Sequence, residues 1–215
     1  MQKQHASVLT SSREKFFSQL GFTRTRGIYL AGGTALALQI SHRTSVDFDF
    51  YSPQHFHSGV LPRFFRTHLK GWKYKIVRNN NDTFEMNVHP DIHVSCFYYE
   101  YPLLERPHVV RGVFVAGLKD IAAMKLVAIA QRGKRRDFID MYYLLQQFSL
   151  KEILRFTQEK YSHFDIYYGL RGLLYFKDAD DDIAIERAAV FDHALTWRKT
   201  KETIEKAVRG FHNTV

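Results

Sequence analysis

Cysteine is nearly missing from this chain, and the single Cys96 excludes both an intramolecular disulfide and a thiolate metal site. On an apolar stretch that thiol reads as a buried structural residue rather than a nucleophile. Acidic residues are also scarce: 22 Asp and Glu stand against 31 Lys and Arg, a formal charge of +9. Such an excess suits a polyanion, nucleic acid or nucleotide first, although many soluble proteins are basic without one. Long apolar runs are lacking too. No stretch approaches the roughly 20 apolar residues of a membrane span, and the polar start Met1-Gln2-Lys3-Gln4-His5 does not read as a secretory leader. The expectation is a soluble, cytoplasmic protein. With no Pro/Gly/Ser linker, internal repeat or low-complexity tract, 215 residues suffice for one sizeable core or for a compact α/β unit with a helical lobe. They do not suffice for two independent enzymes.

What is present centres on Leu30–Tyr51. Ile28 to Ala31 is a short apolar run between Gly27 and Gly32, the pattern of a buried strand entering a tight turn. Gly32 and Gly33 supply the turn, Thr34 stands where a hydroxyl caps a helix, and Ala35 to Gln39 are good helix formers. A glycine turn opening a helix presents unpaired N–H groups and a positive dipole end, and so favours phosphate. Val46 to Tyr51 returns as a strand on which Asp47 and Asp49 share one face while Val46, Phe48 and Phe50 bury the other. Taken singly, each half is an ordinary connection or a solvated strand face. Together they make a site for Mg²⁺ or Mn²⁺ bound with a nucleoside triphosphate.

The remaining segments fall into order around it. Ala6 to Leu20 reads as an amphipathic helix ended by Gly21, and Leu61 to Leu69 as another with a basic, solvated face. Trp72 to Val77, Thr83 to Val88 and Ile92 to Tyr99 read as strands, with Asn79 to Asp82 a hairpin loop and His93, Ser95 and Phe97 on one face of the third. Val113 to Val115 is a short strand. Leu118 to Arg132 is a strong helix with Asp120 favourable in its first turn and Lys125 and Arg132 on one face. Arg135 to Gln147 is the next, where Asp137 and Asp140 are neighbours and Arg136 and Asp140 can pair. Ser149 to Tyr161 (Ser149 as cap), Phe164 to Phe176 (with close-packing Gly169 and Gly172) and Lys199 to Phe211 complete a helical half. The eleven histidines form no metal cluster, since Pro90 keeps His89 and His93 off a common helix face. The acidic run after Lys177 is no calcium loop, because Ile183 and Ala189 occupy the positions that need Gly and Glu.

On these residues the chain resembles the nucleotidyltransferases of the DNA polymerase β superfamily, and within them the AbiEii/AbiGii toxin family. Gly32, Gly33, Thr34, Ala35, Leu36, Arg43, Ser45, Asp47 and Asp49 match that family's first motif in order. Lys125, Arg132, Arg136, Asp137 and Asp140 match its second, and a Tyr-Phe-x-Asp-Ala segment recurs at Tyr175 to Ala179. The resemblance implies an α/β (α+β) fold, with a mixed-sheet nucleotidyltransferase core over 1–117 and a helical lobe over 118–215. It implies that Asp47 and Asp49 hold the metal, and that Gly32, Gly33, Thr34, Arg43 and Ser45 cradle the nucleotide. Lys125, Arg132 and Arg136 would face the triphosphate, with Asp137 and Asp140 orienting them or the base.

The implied reaction is attack of an acceptor hydroxyl, possibly the tRNA 3′ end, on the α-phosphorus of a nucleoside triphosphate. The implied setting is a bacterial toxin–antitoxin or phage-defence pair with a cognate antitoxin. Alternatives are transfer to a small molecule, or a degenerate module that binds nucleotide, RNA or antitoxin without turnover. The last arises because the family's third Asp falls here at Ser95, counted back from Tyr99-Glu100-Tyr101-Pro102-Leu103-Leu104. A serine hydroxyl is no general base at neutral pH. Asp91 is on the same face but about 13 Å away at about 3.3 Å per residue. Glu85, Glu100 and His93 are the residues left to approach that position.

Overall fold

The structure, a computed structural model, describes residues 7–182 and 189–212. The polar start and Ile183 therefore lie outside the described residues. Thr10, extended and accepting from the Arg13 N–H, caps α1 (Ser11–Phe17), and a 3₁₀ segment (Leu20–Arg26) follows. The expected Ala6–Leu20 helix is thus shorter: Ala6 is undescribed, Thr10 sets the start, and tighter turns after Ser18 carry Leu20 into the core. Then come β1 (Tyr29–Ala31), α2 (Gly32–Ile40), β2 (Asp47–Ser52), α3 (Val60–His68), β3 (Tyr74–Asn80), β4 (Thr83–Val88), β5 (Ile92–Tyr98), β6 (His108–Val110) and β7 (Val113–Val115). Six helices follow among the described residues: α4 (Leu118–Arg132), α5 (Arg135–Leu144), α6 (Leu150–Lys160), α7 (Ile166–Leu174), α8 (Lys177–Asp180) and α9 (Trp197–His212). None of these helices is long and apolar enough to cross a membrane.

The strands form one mixed sheet in the order β3-β4-β5-β2-β1-β7-β6. β2 pairs with β5 and β1 with β7 in parallel, and the other neighbours are antiparallel. One face is largely apolar, with Phe48, Phe50, Phe84, Met86, Val94 and Cys96 fully buried. α1 and α3 cover it: Phe17 stacks on Phe48 at 5.6 Å and Phe65 on Phe84 at 5.2 Å. Val46 precedes the strand and is only half-buried, so it takes less part in that core than its alternation predicts. Alternation leaves the polar residues of β2, β5 and β4 on the other face.

Two hairpins differ from the sequence reading. The Asn79–Asp82 loop narrows to Asn81 and Asp82, because β3 continues through Asn80. β6 was not anticipated. It has three residues and pairs with β7 through Arg111 and Gly112, both at positive φ, the twist-matched two-residue hairpin turn.

α4 anchors the lobe. Its Asp120 does more than complement the helix dipole: fully buried, it pairs with Lys160 of α6 at 2.8 Å and accepts the Leu104 N–H at 2.9 Å. Lys160 also donates to the Pro102 carbonyl at 2.8 Å. Ser149 caps α6 as expected, and Glu152 returns the bond to complete a capping box. α5 ends at Leu144 rather than Gln147, the chain closing in tight turns such as Gln146 N–H to Tyr143 C=O. α7 is trimmed to Ile166–Leu174, with Asp165 as its cap.

Gly172 is the close-packing point between α7 and α4, since a Cβ there would stand 2.7 Å from the Ala130 Cα. Gly172→Ala is expected to destabilise the fold by about 1–3 kcal/mol through overpacking. Gly210→Ala, where a Cβ meets nothing within 4 Å, should gain up to about 1 kcal/mol of helix propensity. Urea unfolding of the two variants checks the contrast, and equal effects would contradict it.

Candidate nucleotide-binding and active site

The glycine turn sits where β1 hands over to α2. Gly32 is the first helical residue, with φ +68°, a conformation that favours glycine. A Cβ on it would lie 3.3 Å from Asp49 Oδ2, so the turn and the β2 carboxylate are packed against each other. Thr34 does not cap the helix; the N-cap is Ala31. Its buried hydroxyl donates to the Asp47 carbonyl and accepts from the Ser45 hydroxyl at 2.7 Å, while Arg43 Nη1 donates to Ser45 at 3.4 Å. Thr34 and Ser45 therefore fix the entry to β2. The first-turn N–H groups of α2 remain to face an anion.

Asp47 and Asp49 project from the same face of β2, and the parallel register sets Asp47 beside His93 and Asp49 beside Ser95 on β5. Ser95 Oγ donates to Asp49 Oδ1 at 2.7 Å. On β4, Glu85 stands opposite Ser95 and Asn87 opposite His93. Of the residues left to approach Ser95, Glu85 and His93 line the cleft and Glu100 does not. Asp91 is tied to Arg13 instead. Among the described residues no three His, Cys, Asp or Glu side chains gather to hold a metal. Two carboxylates on one face fit Mg²⁺ or Mn²⁺ only as ions that take further ligands from phosphate and water, which is the ordinary habit of Mg²⁺ at triphosphates.

Behind the turn lies a buried ion cluster. The Arg43 guanidinium grips Asp140 with both prongs, Nε to Oδ1 at 2.7 Å and Nη2 to Oδ2 at 3.0 Å. Lys125 Nζ stands 2.6 Å from both Asp137 Oδ1 and Asp140 Oδ2. His42 Nε2 donates to Asp140 Oδ1 at 2.7 Å, and Arg132 reaches Asp137 at 3.2 Å. Burial opposes the charge on both acids, yet the neighbouring cations outweigh it and hold Asp137 below, and Asp140 well below, the usual carboxylate range. The same balance raises Lys125, since the two carboxylates overcome its burial. His42 goes the other way: burial dominates and lowers it, and among the described residues its Nδ1 has no hydrogen-bond partner. Arg136 does not pair with Asp140, whose oxygens are already taken; it turns to Asp47, 3.8 Å away.

One cleft of about 720 Å³ joins these parts. The glycine turn and β2 carboxylates form one wall, α4 and α5 present Lys125, Arg132, Arg136 and Asp137 on another, and Tyr51, Phe97, Tyr99, Tyr101 and Phe164 make an aromatic side. A model of the nucleotidyl transferase AbiEii toxin family, type IV toxin–antitoxin system, matches residues 24–211. The chain belongs to the AbiEii nucleotidyl transferase toxin family. An uncharacterized protein of Aquifex aeolicus is 37% identical over 186 residues, 82% of this chain and 88% of that one. A crystal structure described as a putative nucleotidyltransferase from H. pylori is 16% identical, covers 94% of this chain and 93% of its own, and superposes with a TM-score of 0.59. MenT4, a nucleotidyltransferase toxin from Mycobacterium tuberculosis, is 15% identical over 91% of this chain and 80% of its own, with a TM-score of 0.63. At such identities these two speak for the fold, which is the mixed-sheet nucleotidyltransferase core with helices expected from the sequence.

The AbiEii motif residues separate by depth. Gly32, Gly33, Thr34, Arg43, Ser45, Asp47, Asp49, Lys125, Arg132, Arg136 and Asp137 all line the cleft, whereas Asp140 stands behind it, fully buried. Gly33 links the layers, because a Cβ there would sit 2.2 Å from Arg43 Nη2. Sequence reasoning missed His42, whose only signal is its place beside Arg43.

Removing one partner from a buried ion pair costs about 3–5 kcal/mol. Asp140→Asn is therefore expected to lose stability on that scale, and Asp47→Asn, whose side chain is 36% exposed, less than about 1 kcal/mol. Denaturant titration separates them. His42 adds a pH effect. Its folded pKa is lowered, so below the ordinary value of about 6.5 the unfolded chain binds a proton that the fold refuses. That stability is present above about pH 6.5 and is lost as pH falls further. His42→Gln should flatten the fall in melting temperature between about pH 7.5 and 5.5; an unchanged slope would count against it.

Proposed function

We infer that this chain is a metal-dependent nucleotidyltransferase that moves a nucleoside monophosphate from a nucleoside triphosphate to a hydroxyl of an RNA acceptor, the tRNA 3′ end, as the toxin of a toxin–antitoxin pair. The observation that carries the reading is the meeting of the glycine turn, Asp47, Asp49 and the Lys125–Asp137 pair on the walls of one cleft. The α2 N-terminus and Arg132, whose side chain is 55% exposed, bind the triphosphate. Lys125 is a point charge held in place by two carboxylates, so it adds field without needing to move as charge develops. The aromatic side offers the base a stacking surface. Asp47 and Asp49 hold the divalent cation, which when bound supplies neutralisation of the triphosphate charge. The acceptor oxygen forms a bond to the α-phosphorus, the bond to the β-phosphate oxygen breaks, and pyrophosphate leaves. The hydroxyl proton passes to a carboxylate on this face, and Glu85, opposite Ser95, takes the task that Ser95 cannot perform. An antitoxin partner follows from the family.

Ser95 favours a second reading, in which the site binds nucleotide without turnover. Incubation with each labelled triphosphate, Mg²⁺ and total tRNA decides between them. Label in RNA is expected, and Asp47→Asn and Asp49→Asn should each reduce it by about 10³-fold or more. Triphosphate binding with no transfer to RNA or to small hydroxyl compounds would favour the second reading.

A further inference from the structure

Two rows of side chains cross the sheet from the β2 carboxylates to the free edge. Opposed residues share a face, so register sets Asp47, His93, Asn87 and Lys75 in one row and Asp49, Ser95, Glu85 and Arg78 in the next. A bulge between Ile76 and Arg78 keeps Arg78 on this face. Each row covers three strand spacings, about 14 Å at about 4.8 Å apiece. The first row leads from the nucleotide cleft into a second hollow of about 820 Å³. Asp47 and His93 line both, while Lys73, Lys75 and Asn87 line the second alone.

Charge changes sign along this surface. Its inner end carries Asp47 and Asp49, and its outer end carries Lys73 and Lys75, both exposed. Arg13 is engaged by Asp91 and Arg78 lies 3.5 Å from Glu85, but among the described residues no carboxylate pairs with Lys73 or Lys75. A polyanion cannot lie against the carboxylates, whereas its uncharged terminal hydroxyl can. Phosphates one or two nucleotides back would fall on the lysines. The basic stretch on α3 covers the opposite face of the sheet and lines neither hollow, and Arg132 and Arg136 line the nucleotide cleft itself.

We propose that the open face of β5, β4 and β3 is the docking surface for a single-stranded polynucleotide acceptor, with its backbone on Lys73 and Lys75 and its terminal hydroxyl at Asp47 and Asp49. This rests on the reading that the acceptor is RNA, but its test is binding rather than transfer. Fluorescent tRNA is titrated into the wild type, Lys73→Glu/Lys75→Glu, and Lys199→Glu/Lys206→Glu, a control with the same charge change on α9. The first variant should bind about tenfold more weakly or worse, with a log K against log salt slope about 1.4 shallower, at about 0.7 per single-strand phosphate contact. The control should stay within about threefold of wild type, and both should bind a non-hydrolysable triphosphate normally. Lys73→Gln/Lys75→Gln, which adds no charge, should give a smaller loss and serves if the reversed variant melts early. Equal losses in the two reversed variants, or a wild type that binds an acidic protein but not tRNA, overturn the proposal. If no label reaches RNA yet the Lys73/Lys75 variant alone loses tRNA binding, the transfer reading fails and the surface stands. If wild type labels a small hydroxyl compound and ignores tRNA, the surface fails and the enzyme stands.

Discussion

The Asp140 carboxylate, fully buried on α5, accepts hydrogen bonds from His42 and Arg43 and pairs with Lys125, which draws the α2–β2 connection, α4 and α5 onto one point. Everything in the cleft is placed relative to that point. Arg43 reaches from it to Ser45, Ser45 to Thr34, and Thr34 to the backbone of Asp47. The chain of bonds thus runs from the core of the helical half to the backbone of Asp47 at the start of β2. A buried charge held by so many partners is weak evidence of net stabilisation, because desolvation offsets much of the attraction. Its value here is geometric: one carboxylate ties the α2–β2 connection, α4 and α5 together.

A second buried pair, Asp120 with Lys160, plays the same part on the aromatic side. It joins the start of α4, the end of α6 and the 102–105 segment, and Tyr101 and Tyr161 of that region pack at 4.7 Å. Between them the two clusters hold α4 near its start, through Asp120, and at its middle, through Lys125.

Much of this was legible in the sequence where local rules govern. Glycine punctuation, apolar runs and period-two alternation placed β1, α2, β2, β4 and β7, because each is decided within about ten residues. The errors come from side chains whose partners lie far along the chain. Thr34 looked like a cap because hydroxyls at helix starts usually are, but Ser45 and the Asp47 carbonyl offered it better bonds. Arg136 and Asp140 have the spacing of a local pair, yet cations from two other elements saturate Asp140 first. The Asp120–Lys160 pair spans forty positions, so no spacing rule reaches it. Ser95 was placed by counting back from a neighbouring segment, and the parallel register does set it beside Asp49.

Strand β3 closes the sheet on one side, and its outer edge presents backbone groups that no neighbouring strand among the described residues uses. Such an edge is a template for pairing with another chain, and proteins blunt it with charge and irregularity. Lys75, Arg78 and the bulge between Ile76 and Arg78 do so here, beside an exposed Val77. Lys75, which would receive an acceptor, therefore also helps to keep one copy of the sheet from extending into the next, so that one side chain would serve both colloidal behaviour and recognition.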